Sequence, residues 1–352
     1  MNIAIIISRP EMGGAQRVAI NLADWLNKTT NHKASIIALS HLKEGAYNMS
    51  GRDYYFLQKR NKIAELRNVI CSVKADIVLT MGVPLCIYTI PATVGLSIKH
   101  IVSERNDPAH FAGKRITAII SRALMRLADG FVFQTKDARD FYGEKISKKS
   151  TIIPNPLFDM HQMPSKIYSG ERKKNIVSVG RLNPQKNHIL LIDAFCDIHK
   201  EFPEYRLEIW GEGQERYNLE QYINEKNLNK CITLPGVSNQ IFDKLYDSSL
   251  FVLSSNFEGM PNALIEAMAL GLPVISTDCP CGGPSFLISN KVNGILVKVG
   301  DKNEMVNAMR FMLNNKDKAI SMGENAFLLR ERLSEQTVNK QWFDYFVSIL
   351  KT

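Results

Sequence analysis

A short apolar run, a punctuation of Gly, Pro or Ser, then an amphipathic helix: this triplet repeats along the chain and constrains its fold more than any other feature. "IAIII" (3–7) leads into "GGAQRVAINLADWLNK", where Val18, Leu22, Trp25 and Leu26 share one helical stripe. Further runs stand at 34–39, 53–57, 76–80, 99–103, 130–134 and 150–153. Such alternation predicts a mostly parallel sheet with helices on both faces. The rhythm stops at "PNPLFDMHQMPSKIYSGERKK" (154–174), rich in Pro, Ser and charge, and restarts with runs at 175–180, 205–211, 231–236, 250–255, 272–277 and 293–300. A chain of 352 residues has room for two cores. The expected architecture is two doubly wound, Rossmann-like α/β domains with a hinge near 155–172. Ligands of such sheets bind at the carboxyl ends of the strands, so two facing sheets place them in a central cleft.

Composition narrows the class. Hydrophobic residues make up 45% and charged residues 22%, a globular and not a disordered profile. Cysteines at 71, 86, 196, 231, 279 and 281 form no CxxC pair, which implies reduced thiols and no zinc framework. The start "MNIAIIISRP" has no basic n-region and reads as a buried strand, not a signal peptide. Residues 77–98 carry no charge and could span a bilayer, but Gly82, Pro84 and Pro91 interrupt them; a strand at 77–81, a turn and a core helix account for them at least as well. The net charge of +9 favours anionic partners: nucleic acid, membrane surface or phosphorylated small molecules.

The informative residues follow strands. After the first, "RPEMGGAQR" sets Gly13 and Gly14 before a helix whose first amides would face an anion; a tight strand-to-helix turn explains the pair equally well. "GRLNPQKN" places Arg181 and Lys186 on a strand-end loop, as a diphosphate requires, or as a solvated basic turn would show. "WGEGQE" offers Gly211 and Gly213 for close approach. "EGMPNALIEAMALG" sets Glu258 and Glu266 eight positions apart, about 80° around an ideal helix. If Glu258 precedes the helix, both acids can face one cavity; otherwise they are a helix-end acid and a solvated helical glutamate. The chain contains no DxD, no HxxxH and no GxSxG, so neither a chelated metal nor a serine nucleophile is expected.

Together, "GGAQR", "GRLNPQKN", "WGEG", "YDSSLFVLSSNFEGMPNALIEAMALGLPVIST" and "NGILVKVGD" resemble the GT-B retaining glycosyltransferases of family 4, and their order resembles the bacterial enzymes that extend lipid-linked oligosaccharides. The resemblance implies an acceptor-binding domain over 1–155, a nucleotide-sugar-binding domain over 156–335, and a helix at 336–352 packing back on the first. It makes Glu258 and Glu266 the E-x7-E motif, Glu258 on a donor-sugar hydroxyl and Glu266 on the ribose. Amides at Gly259 and Met260 would hold the sugar; Pro261 has no N–H to offer. Asn262 and Gly211 would complete the donor site, and Val237 would grip the base through its backbone. Arg181 and Lys186 would neutralise the diphosphate, and Gly13 and Gly14 would add amides from the opposite wall. The implied activity is retaining transfer of a hexose or N-acetylhexosamine from a nucleotide-diphospho-sugar, UDP being the first choice, to a polyprenyl-diphosphate-linked glycan. It implies neither metal nor cofactor, and a cytoplasmic location on the inner face of the cell membrane. A nucleotide-sugar epimerase or phosphorylase on the same scaffold is the alternative; a basic nucleic-acid-binding protein is a third reading, with no motif behind it.

One segment departs from the family pattern. Where relatives carry a histidine, "VSERNDPAH" has Arg105, with Asn106 beside it and His110 five residues further on. An arginine binds sugar or phosphate oxygens but does not shuttle protons. The segment that follows, 114–130, sets Lys114, Arg115, Arg122 and Arg126 beside a stripe of Ile116, Ile119, Ile120, Leu124 and Leu127. It reads either as an ordinary amphipathic helix with a solvated basic side or as a contact for lipid headgroups or a lipid diphosphate.

Overall fold

The computed structural model describes residues 1–10, 13–41, 47–110 and 115–351; Lys114 lies outside them. The chain divides into two units, Met1–Pro156 with Gln336–Thr352, and Leu157–Glu335.

Unit 1 is built on β1 (Asn2–Ile7), β2 (Lys33–Ala38), β3 (Tyr54–Phe56), β4 (Ile77–Met81), β5 (Lys99–Ser103), β6 (Gly130–Phe133) and β7 (Ser150–Ile152). Every pairing is parallel and the order is β3-β2-β1-β4-β5-β6-β7. Both faces of the sheet are covered, so the central strands are unbroken apolar runs: Ile3 to Ile7 are all buried. The helices α1 (Gly14–Thr29), α2 (Lys62–Ser72), α3 (Cys86–Thr93) and α4 (Arg115–Met125) fill the crossovers. The uncharged segment 77–98 is β4, a short 3-10 turn at Val83–Leu85, and α3. Among the described residues no helix is long and apolar enough to cross a membrane. The C-terminal helix (Glu335–Leu350) closes this unit. Trp342 and Phe346 are fully buried, and Tyr345 Oη accepts from Phe131 N at 3.0 Å while donating to the Lys149 carbonyl at 3.1 Å.

Unit 2 repeats the design with β8 (Lys173–Val179), β9 (Arg206–Trp210), β10 (Ile232–Gly236), β11 (Ser248–Leu253), β12 (Val274–Thr277) and β13 (Ile295–Val297), all parallel, in the order β10-β9-β8-β11-β12-β13. Its core joins Ile176, Leu207, Leu250 and Ile275 of the sheet to Phe195 and Ile198 of one helix and to Met305 and Met309 of another. In both units the strand order reverses once, between β1 and β4 and between β8 and β11. The reversal is the place in such sheets where ligands bind, at the carboxyl edge of the strands.

Candidate functional site

In unit 2 the two loops at the reversal are clamped together. Residues 180–187 leave β8 and residues 254–261 leave β11. Ser254 Oγ donates to the Lys186 carbonyl at 2.9 Å, Asn256 N to the Gln185 carbonyl at 2.8 Å, and Asn256 Nδ2 to the Pro184 carbonyl at 3.0 Å. Asn187, in a left-handed conformation, caps the helix His188–Glu201 and donates to Asn256 Oδ1 at 2.9 Å. These bonds fix where Lys186 projects. Its Nζ lies 2.5 Å from Glu258 Oε1, which also accepts from Ser255 Oγ at 2.7 Å. Gln185 Nε2 donates to the Phe257 carbonyl at 2.9 Å.

Glu258 therefore sits on a loop, four residues before the helix Asn262–Ala269. Glu266, on that helix, is buried as well. Neither carboxylate is a solvated surface acid, so Glu266 is not a solvated helical glutamate. Gly259 and Met260 are buried in the same loop, Asn262 half-buried at the helix start. The loop is backed by the segment after β12: a Cβ on Gly283 would stand 2.0 Å from the Gly259 carbonyl oxygen. Cys281 there takes φ +75°, a conformation that strains a residue bearing a Cβ.

Arg181 opens the β8 loop and is exposed; among the described residues its side chain makes no hydrogen bond or ion pair. The glycines after β9 serve the loop it stands on. Gly211 has φ +140° and a Cβ there would lie 1.9 Å from the Gly180 carbonyl oxygen, while one on Gly213 would lie 2.3 Å from that of Leu182. The close approach read from "WGEG" is thus made by the chain's own backbone. Val237, after β10, is fully in solvent reach at 73% exposure. His188 carries no sequence signal and is buried directly behind the loop; burial, and then the Lys186 charge, lowers its pKa to about 4, so it stays neutral.

In unit 1 the carboxyl ends of β1, β4 and β5 enclose a cavity of about 320 Å³ lined by Ser8, Gln16, Gly82, Glu104, Arg105 and His110, among others. Gly13 is extended and precedes the first turn of α1, where Gly14 is exposed. Glu104 is buried; its carboxylate accepts from Tyr142 Oη at 2.8 Å and from Arg105 N at 3.0 Å, and burial raises its pKa. The Arg105 guanidinium is drawn into the unit. It donates to the Ile153 carbonyl and to Asn155 Oδ1 and stacks 5.8 Å over Trp342, and burial lowers its pKa to about 9. Asn106 is exposed. His110 Nδ1 lies 2.8 Å from Oδ2 of Asp107, a buried carboxylate the motif reading missed. Arg122 Nη2 donates to the Pro108 carbonyl at 2.5 Å and its guanidinium lies 5.1 Å over Phe141, whereas Arg115 is exposed. Unit 1 thus gathers Arg105 and His110 at one cavity and ties Arg122 to the loop that carries them. Among the described residues no three His, Cys, Asp or Glu side chains group as metal ligands would.

Residues 160–328 match the family described as Glycosyl transferases group 1. An uncharacterized glycosyltransferase of Haemophilus influenzae is 26% identical over 94% of this chain and 95% of its own length. A Campylobacter jejuni protein is 25% identical over 99% of both chains; its name is GalNAc-alpha-(1->4)-GalNAc-alpha-(1->3)-diNAcBac-PP-undecaprenol alpha-1,4-N-acetyl-D-galactosaminyltransferase. Among solved structures, Anabaena HepE in complex with UDP-glucose superposes with a TM-score of 0.85 at 18% identity, covering 99% of this chain and 100% of that one. The fold is that of the GT-B glycosyltransferases. None of these comparisons supports an epimerase or phosphorylase.

Proposed function

We propose that this group 1 glycosyltransferase moves a hexose or N-acetylhexosamine from a UDP-sugar to a hydroxyl of a polyprenyl-diphosphate-linked glycan, with retention at the anomeric carbon and without a metal. The observation that carries the reading is the clamp at the β8/β11 reversal, which holds Lys186 against Glu258 and leaves Arg181 exposed on the same loop. A pair of strand-end loops with one fixed and one exposed cation suits a diphosphate leaving group. The Campylobacter relative, by its name, acts on an undecaprenol-diphosphate-linked acceptor, and HepE binds UDP-glucose.

In this reading the bond between the sugar's anomeric carbon and the diphosphate oxygen breaks. Arg181 and Lys186 take up the charge that develops on that oxygen. The acceptor oxygen bonds to the same face of the carbon, and its proton passes to the departing phosphate, releasing nucleoside diphosphate. Glu258 orients the sugar through a hydroxyl, helped by the amides of Gly259 and Met260 and by Asn262. Glu266 holds the ribose, with Gly211 and Val237 beside the nucleotide. Gly13 and Gly14 of unit 1 add backbone amides to the diphosphate, and Arg105, Asn106, His110, Arg115 and Arg122 form the acceptor side in the same unit. Glu258 and Glu266 are not an acid and nucleophile flanking the bond, as in hydrolases. The enzyme works in the cytoplasm, at the inner face of the cell membrane, in the assembly of a surface glycan or glycoprotein.

The product tests this. With an α-configured UDP-sugar and EDTA present, the new linkage should be α by its anomeric proton coupling. A β-linkage would rule out retention, and loss of all product in EDTA would rule out the metal-free mechanism.

A further inference from the structure

The sheet of unit 2 has a second edge, where its strands begin, opposite the edge that carries Arg181, Lys186 and Glu258. A cavity of about 440 Å³ lies there. Lys174, Tyr205, Ser249 and Pro273 line it from the starts of β8, β9, β11 and β12. Met312, Leu313 and Ala319 line it from the helices Lys302–Asn314 and Lys316–Phe327. Residues 167–172, which run into β8, supply the third wall. They are strapped to the unit by Tyr246, whose Oη donates to the Lys166 carbonyl at 2.8 Å and whose ring meets that of Tyr168 edge-on at 5.4 Å. The proposed transfer makes no use of this space.

One charge is set into the wall. Arg172 is half-buried, and its guanidinium donates through Nη1 to the carbonyls of Tyr246 at 3.1 Å and Ser248 at 3.0 Å, and through Nη2 to that of Gly271 at 3.0 Å. It stands 5.7 Å over the Tyr168 ring and makes no ion pair among the described residues. Asp247, whose charge reaches it, is held by Lys173 at 2.9 Å. Burial lowers the Arg172 pKa, as it does for a cation taken from water without a counter-ion. A guanidinium has five N–H donors and keeps its charge in proteins, so three carbonyls leave two donors and the positive charge uncompensated. The other charges at the cavity lie in water. Lys316 is exposed, Lys174 lies 3.5 Å from Glu204, and Glu171 and Glu324 are exposed, where solvent and salt screen them.

We propose that this cavity binds a small amphipathic carboxylate, with its head on Arg172 and its hydrocarbon body against Ile167, Tyr205, Met312, Leu313 and Ile320. The volume is about three times that which encloses one benzene ring, room for roughly ten or more carbons, and falls among those of small-molecule sites. Tyr205, Met312 and Leu313 are buried, so the floor is apolar and rewards a hydrocarbon. The charge chooses the head. A carboxylate supplies the counter-ion that Arg172 lacks and two oxygens for its remaining donors. A neutral hydrocarbon leaves that charge as it is, and an ammonium adds to it. The site lies at the strand starts, whereas the nucleotide is placed at the strand ends, so its occupant and UDP do not compete. The inference goes beyond the transferase reading and does not depend on it.

The test is isothermal titration calorimetry of the full chain with decanoate, decanol and decyltrimethylammonium, each below its micelle-forming concentration, with and without saturating UDP. Decanoate should bind at one site, about tenfold or more tighter than decanol or the ammonium, and UDP should leave its affinity unchanged. Ile320→Glu puts a carboxylate on a side chain that is 44% exposed, so its thermal midpoint should match the parent's while decanoate affinity falls about tenfold. Glu324→Lys should raise the affinity several-fold. Arg172→Met should abolish the preference for decanoate over decanol; if that variant fails to fold, the two surface variants decide. Equal affinity for decanoate and decanol, displacement of decanoate by UDP, binding indifferent to both charge changes, or no binding of decanoate would each overturn the proposal.

Discussion

Lys186 Nζ lies 2.5 Å from Glu258 Oε1, joining two loops whose residues are 72 positions apart, with the side chains only 15% and 8% exposed. The pair is the point at which fold and chemistry meet. It locks the β8 loop to the β11 loop and, in the proposed function, holds one of the two cations that face the diphosphate.

Removing one partner should cost more than removing both. Lys186→Ala leaves a buried carboxylate without its ion and should destabilise unit 2 by about 2–4 kcal/mol. Lys186→Met combined with Glu258→Gln should recover more than half of that loss in the thermal midpoint while remaining inactive. If the double variant were no more stable than Lys186→Ala, the ion pair would not be what the loops depend on.

Arg181 separates stability from activity in the opposite way. Its side chain is exposed and holds nothing in the fold among the described residues, so Arg181→Ala should leave stability within about 0.5 kcal/mol. In the proposed mechanism Arg181 binds the leaving diphosphate, so its loss should lower kcat/KM by about 10²–10³. Steady-state kinetics beside a melting curve decide it; unchanged kinetics would take Arg181 out of the site.

Gly211→Ala should damage the same loop through the backbone. At φ +140° the new Cβ would meet the Gly180 carbonyl oxygen at 1.9 Å, and the residue bears no group that could give way. A loss of about 2–4 kcal/mol with weakened UDP binding is expected. Calorimetry of the variant with UDP would show it.

Acid should weaken unit 1 through His100. The ring lies between Thr80 Oγ1 at 2.8 Å and Thr93 Oγ1 at 3.0 Å, and burial lowers its pKa to about 4. The unfolded chain, with a pKa near 6.5, takes up the proton first. The ring's contribution is therefore complete above about pH 6.5 and is lost as pH falls toward 4, on the order of 3 kcal/mol in all. His100→Asn should flatten that part of the stability-against-pH curve. An unaltered slope would take His100 out of the acid sensitivity of unit 1.

Much of the fold is legible in the sequence alone. The apolar runs at 3–7, 76–80 and 250–255 lie on β1, β4 and β11, because a strand covered on both faces must be apolar along its length. Placement of Arg181, Lys186 and Glu258 just after strands follows from the same punctuation. The contacts across the sheet were not legible. That Lys186 meets Glu258 depends on β8 lying beside β11, and a parallel crossover brings distant residues together without a local signature. Nor does spacing reveal what a glycine makes room for: Gly211 accommodates Gly180, a backbone neighbour 31 residues earlier. Periodicity showed the isoleucine stripe of α4 but not which side of the helix the unit occupies. The Asp107–His110 pair escaped because a three-residue spacing on a loop constrains nothing until the loop is folded.

The proposed transfer needs both a nucleotide sugar and a lipid-linked acceptor. The direct measurement is nucleotide release from UDP-, GDP- and ADP-sugars, each in EDTA, with and without a short polyprenyl-diphosphate-linked saccharide. Release that requires one UDP-sugar together with the lipid-linked saccharide, and that Arg181→Ala lowers by about 10²–10³, is the predicted result. Release independent of any acceptor, or none from any donor across a broad set of acceptors, would contradict the account.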